Sequence, residues 1–206
     1  MTDINISQYK KAKEKLLAVH DLSCRQFFLD NGYLLEYAYC ELLEDNLLLA
    51  KEIFSSLKEK DIRAHWALSL ISMVEGNITE YPSYFEIRNF LEIDLNILIT
   101  YFKGDYVEKI IRYADFMFSI NPETHKFIGR VFYNNGLKEQ AIYFLERAKS
   151  YFYHDPELHF LIAYIYYNNG ETVKARKALE NCLFVLPEYF PAVDLMQKID
   201  CSKGSC

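Results

Sequence analysis

The sequence predicts an all-α solenoid of antiparallel helix pairs, and three features of the chain point there. Residues 122–155 lie over residues 156–189 at an offset of 34, with Pro, Glu, His, Tyr, Asn, Asn, Gly, Ala, Leu and Glu in register. A fixed period of this length marks stacked supersecondary units, each too small to bury its own apolar face. Phe127, Ile128, Val131 and Phe132 recur at three- to four-residue spacing and so share one face of a helix. The 206-residue chain holds only 7 Gly and 5 Pro, too few turn formers for a sandwich or barrel of many short strands.

Residues 1–31 read as N-terminal capping helices, "SQYKKAKEKLLAVHDL" and "CRQFFLD". Residues 32–121 read as three degenerate helix pairs. Asp45 follows "YLLEYAYCELLE", with Ala50 and Phe54 at second-helix positions. Gly76 follows "HWALSLISMVE", and Gly104 precedes "DYVEKIIRYADFMF", a helix running to "SINPE". From Asp45 to Gly170 these turn markers are spaced by 31, 28, 32 and 34 residues. Pro82 breaks any helix in "NITEYPSYFEIRNF", so the second helix of that pair is expected to be short or displaced.

Residues 122–189 hold two clear units. Pro122 and Pro156 belong in the first turn of a helix, where a missing N–H costs nothing, and Asn121 and Asp155 precede them as N-cap candidates. Gly136 and Gly170 can take φ > 0 and close the first helix of each pair. The second helices carry Ala141, Leu145 and Ala148, then Ala175, Leu179 and Cys182, and their small residues allow two helices to approach closely. Residues 188–200, "EYFPAVDLMQKID", suit a final capping helix, and 201–206, "CSKGSC", a flexible polar tail. With no Gly/Ser linker or charge block, residues 1–200 read as one domain.

This pattern resembles the tetratricopeptide repeat. The structural positions are Gly129 and Ala163 (small), Phe132 and Tyr166 (aromatic), Gly136 and Gly170, Ala141 and Ala175, Ala148 and Cys182 (small), and Pro187. Tyr153 stands where the earlier unit would have its proline, and His125 and His159 replace the family's usual aromatic. The resemblance implies a right-handed superhelix whose first helices line a concave groove. Carried over residue by residue, it assigns to that groove Lys126, Arg130, Tyr133 and Asn134, then Phe160, Tyr164, Tyr167 and Asn168, flanked by Glu123 and Glu157. In the weaker units the same phase selects Tyr39 and Trp66. Some members of the family grip a C-terminal carboxylate with Lys-x-x-x-Arg, the spacing of Lys126 and Arg130. The matching positions here are Phe160 and Tyr164 downstream and Asp94 and Leu98 upstream, so that clamp is incomplete. The two cations are instead expected to form a local basic spot for one acidic side chain of a ligand.

Composition narrows the partner class. Net charge is −6, and the one dense basic run, "YKKAKEK" at 9–15, contains Glu14. A phosphate-binding surface needs clustered cations, so nucleic acid is not expected. Five cysteines at irregular spacings, with no CxxC, support neither a zinc site nor a disulfide framework and suit a reducing cytoplasm. No apolar run is long enough for a signal core or a membrane span. The scattered histidines form no HExxH, and neither GxSxG nor a phosphate loop is present. No catalytic residue, metal or cofactor is therefore expected. The expected function is a non-enzymatic module that binds a peptide or protein segment as adaptor or scaffold. A secretion-type chaperone and a self-associating structural protein are the alternatives.

Overall fold

The structure is a computed structural model that describes residues 3–201, with side chains from Ile6 onward. The described residues form thirteen α-helices, and none of them lies in a strand. No helix among them is long and apolar enough to cross a membrane. The chain divides into two compact units, Met1–Asn121 and Pro122–Cys206. Residues 202–206 of the expected tail lie outside the described residues.

The first unit opens with α1 (Asp3–Glu14), a π turn (Lys15–Val19), a 3-10 turn (Leu22–Cys24) and α2 (Arg25–Asp30). The pair α3 (Leu34–Leu43) and α4 (Leu47–Leu57) follows, then α5 (Ile62–Glu75), and finally α6 (Tyr84–Thr100) with the broken helix α7 (Gly104–Ile111) and α8 (Ala114–Ile120). As Pro82 foretells, residues 77–83 contain no helix, so α5 runs through an extended loop straight into α6. A capping box starts α6: the Ser83 hydroxyl accepts from Glu86 N–H, and the Glu86 carboxylate accepts from Ser83 N–H at 2.6 Å. The single helix expected after Gly104 breaks near Tyr113, whose N–H bonds to the Ile110 carbonyl only three residues back.

Left-handed residues end the first helices. Asp45 (φ 68°) and Gly76 (φ 80°) act as expected, but Gly104 does not. It opens α7, and the left-handed position falls to Phe102 (φ 59°), with Lys103 N–H closing onto the Leu98 carbonyl at 2.8 Å. Phe102 lies 34 residues before Gly136, so the strict period extends one pair further upstream than Gly104 implies. In the corrected register Leu91, Leu95, Leu98, Val107 and Ala114 stand where the next pair has His125, Gly129, Phe132, Ala141 and Ala148, and all ten are buried. Asp94 and Leu98 are thus interior residues. Glu92 and Asn96 take the places equivalent to Lys126 and Arg130.

The second unit contains α9 (Thr124–Asn134), α10 (Lys138–Lys149), α11 (Pro156–Asn168), α12 (Thr172–Val185) and α13 (Phe190–Cys201), each packed on the next. Asp155 caps α11, its carboxylate accepting from Leu158 N–H at 3.1 Å, and Pro156 occupies the first turn. The earlier helix begins later than its proline implies: α9 starts at Thr124, and Asn121 closes α8 by donating its N–H to the Met117 carbonyl.

Candidate functional site

Inside the second unit the hairpins close on small side chains. A Cβ on Gly129 would stand 2.6 Å from Leu145 Cγ, so α9 and α10 meet where only glycine fits. Ala163 takes the same place in the next pair. Ala141, Ala175, Ala148 and Cys182 are also fully buried. The Cys182 thiol donates to the Pro156 carbonyl at 3.2 Å, and burial pushes its pKa up to about 11, which makes it a packing group and a poor nucleophile. Gly136 and Gly170 share φ 77°. His125 and His159 are buried, and His159 Nε2–H donates to the Tyr153 carbonyl at 2.7 Å. The buried repeat positions thus have a packing reason, and Gly136 and Gly170 a backbone one.

These helix pairs keep the likeness to the tetratricopeptide repeat that the sequence carries. No protein-family model and no curated protein matches the chain. Among solved structures it is similar to the C-terminal part of a TPR repeat-containing protein from Cytophaga hutchinsonii, with TM-score 0.48, 18% identity, 82% of this chain covered and 71% of that one. It is also similar to a chain of the APC/C hetero-tetramer Cut9–Hcn1, with TM-score 0.42, 15% identity, 95% of this chain and 42% of that one. It therefore spans less than half the length of that chain. A thermophilic TPR protein of Thermus thermophilus aligns with TM-score 0.37 and 17% identity over 95% of this chain and 98% of that one.

The residues expected on the groove lie on α9 and α11. The ring centres of Tyr133 and Tyr164 are 6.3 Å apart, those of Tyr164 and Phe160 are 6.0 Å apart, and Phe160 reaches Tyr189 at 5.5 Å. Burial raises the Tyr133 pKa, helped by the nearby Tyr164 and opposed by a hydrogen bond with Asn168. Tyr164, Asn134 and Asn168 are exposed, and Tyr167 is half-buried. Tyr189 is not among the residues expected from the sequence. Its signal is the period itself, which places it 34 residues after Asp155, just ahead of the next first helix.

The expected basic spot for a ligand is already occupied from within. Lys126 Nζ lies 2.6 Å from the Asp155 carboxylate with only 12% of its side chain exposed. Arg130 Nη1 is 3.8 Å from Glu157 Oε1, and its guanidinium sits 5.6 Å from the Phe127 ring centre. Both cations serve as links from one helix pair to the next.

Tyr39 and Trp66, expected on the groove, are buried in the first unit. Their polar atoms are satisfied by Asp94, which accepts from Tyr39 Oη and from Trp66 Nε1 at 2.8 Å each and from the Arg63 guanidinium. Burial raises the Asp94 pKa, and Arg63 opposes this most. Arg63 also lies over the rings of Tyr39 and Phe90, at 4.9 and 5.0 Å. Above this hub opens a pocket of about 270 Å³, walled by Leu16, Leu17, Leu35, Leu43, Ile93 and Ile97, with Lys13, Glu36, Tyr39 and Arg63 completing the lining.

Proposed function

We propose that the chain is a protein-interaction module that holds a peptide or protein segment against the first-helix face of residues 122–189, as an adaptor or scaffold. The observation that carries this reading is the continuous run Tyr133, Tyr164, Phe160 and Tyr189, flanked by the exposed amides of Asn134 and Asn168. Aromatic rings offer large contact area at low entropic cost, and amides can satisfy a ligand main chain. With Lys126 and Arg130 already paired to Asp155 and Glu157, affinity on this face rests on rings and amides rather than on net charge.

The test is affinity capture by the wild-type chain and by the Tyr164→Ala/Tyr167→Ala double variant, with retained proteins identified by mass spectrometry. The variant is expected to lose a defined partner while keeping its helical circular dichroism. Equal capture by the folded variant would remove this face from the account. Self-association is a second reading, supported by Val173, Phe184 and Phe190 in the last helices, each more than 70% exposed. Light scattering on a concentrated sample separates the two, since a monomer counts against self-association.

A further inference from the structure

The pocket of the first unit lies on a different set of helices from the aromatic run and has its own chemistry. Its volume of about 270 Å³ exceeds the roughly 150 Å³ of an apolar cavity that admits benzene. It falls short of the roughly 300–1,000 Å³ typical of pockets for drug-sized ligands. It therefore suits one large side chain. Its walls are aliphatic, and its charges are matched in pairs: Lys13 with Glu36 at 3.5 Å, and Arg63 with Asp94. A charged guest would lose hydration and gain no uncompensated partner. Arg63 has five N–H donors, and Asp94 and Tyr39 do not use them all.

The chain itself shows what this side of the unit accepts. The π turn after α1 buries Leu16, whose main-chain carbonyl accepts from Tyr101 Oη at 2.6 Å. An apolar leucine side chain and a carbonyl, both carried by a helical segment, are held together there, in the wall of the open pocket. We propose that the pocket is an anchor site for one leucine-sized side chain from a helical segment of a partner protein, with a main-chain carbonyl of that segment received by Arg63. This rests on reading the chain as a protein-interaction module, and it adds a contact point outside the tyrosine face. Buried apolar anchors in fitted pockets carry a disproportionate share of interface affinity.

The sole tryptophan reports on the site, because Trp66 donates to the carboxylate that pairs with Arg63. The full chain is titrated with N-acetyl-leucinamide while the Trp66 fluorescence and its indole N–H resonance are followed. A saturable response is expected, weaker by about tenfold or more for N-acetyl-alaninamide and N-acetyl-lysinamide. Ile93→Glu and Leu17→Gln change partly exposed rim positions, and each is expected to abolish the response without lowering the melting temperature. No saturable response, equal affinity for the lysinamide, or a response that survives both rim variants would overturn the proposal. A silent pocket alongside tyrosine-dependent partner capture would overturn the anchor site alone and leave the interaction reading standing.

Discussion

In residues 122–189 the helices of each pair meet through small side chains, with Gly129 and Ala163 backed by Ala141, Ala175, Ala148 and Cys182. In the first unit α3, α5 and α6 are tied instead through one buried carboxylate, Asp94, which collects Tyr39, Arg63 and Trp66. Small-residue packing can be copied from pair to pair, because each contact needs only a missing side chain at a fixed offset. A hydrogen-bonded hub is unique to its place, because its three donors lie 28 to 55 residues from Asp94 and are of three different kinds. The same hairpin architecture is thus reached once by repetition and once by a singular polar junction.

Asp94→Asn tests this difference most severely. The amide offers one acceptor oxygen to three donors and leaves the Arg63 guanidinium without its counter-charge. A loss of about 3–5 kcal/mol is expected, as for other broken buried ion pairs, measured by urea unfolding followed at Trp66. A loss near zero would mean that the hub does not hold the first unit together. Gly129→Ala comes next. Its new methyl would collide with Leu145, at a cost of about 1–3 kcal/mol typical of overpacking, whereas Ala163→Gly should cost only about 1 kcal/mol through helix propensity. Thermal melts of both variants check whether the two equivalent positions are packed to different tightness.

Phe102→Gly works in the opposite direction. Phe102 is 94% exposed and left-handed, so glycine should gain about 1 kcal/mol by removing backbone strain while losing no contact. A destabilised Phe102→Gly would show that the ring has a partner outside the chain's own core. The smallest effect is pH-linked. Lys103, then Tyr106, hold the Asp45 carboxyl below its ordinary value through hydrogen bonds of 2.6 and 2.8 Å. With the folded pKa depressed, this stabilisation is present above the unfolded value of about 3.9 and is lost as pH falls through the folded value. Asp45 is largely exposed, so the contribution should stay below about 1 kcal/mol. Asp45→Asn should remove it at neutral pH and match the wild type in strong acid, as unfolding curves at the two pH values would show.

The sequence is most legible where the structure repeats itself. Gly136, Gly170 and the paired alanines announce two hairpins because their conformations and sizes follow from residue type alone. Gly104 misleads for the same reason: glycine is the usual left-handed residue, but here a phenylalanine two positions earlier bears the strain. Trp66 and Tyr39 look like groove residues by phase. Asp94, which lets them be buried, is far away in sequence, so only three-dimensional packing reveals it. Lys126 and Arg130 look available to a ligand until Asp155 and Glu157 are seen beside them. An acid 29 residues after Lys126 is visible in the sequence, but nothing in a helical period says that the two side chains converge.

Asp155 has two obligations that bear on how this junction can change over generations of substitution. It accepts a main-chain hydrogen bond at the start of α11 and also binds Lys126. In an ordinary surface pair the two signs can be exchanged by a double substitution. Here they cannot, because a lysine at 155 has no oxygen with which to begin the helix. The charge at 155 is inherited from the backbone's need, and the residue at 126 must follow it. The link between these repeats therefore has a fixed direction, with one residue dictating the other.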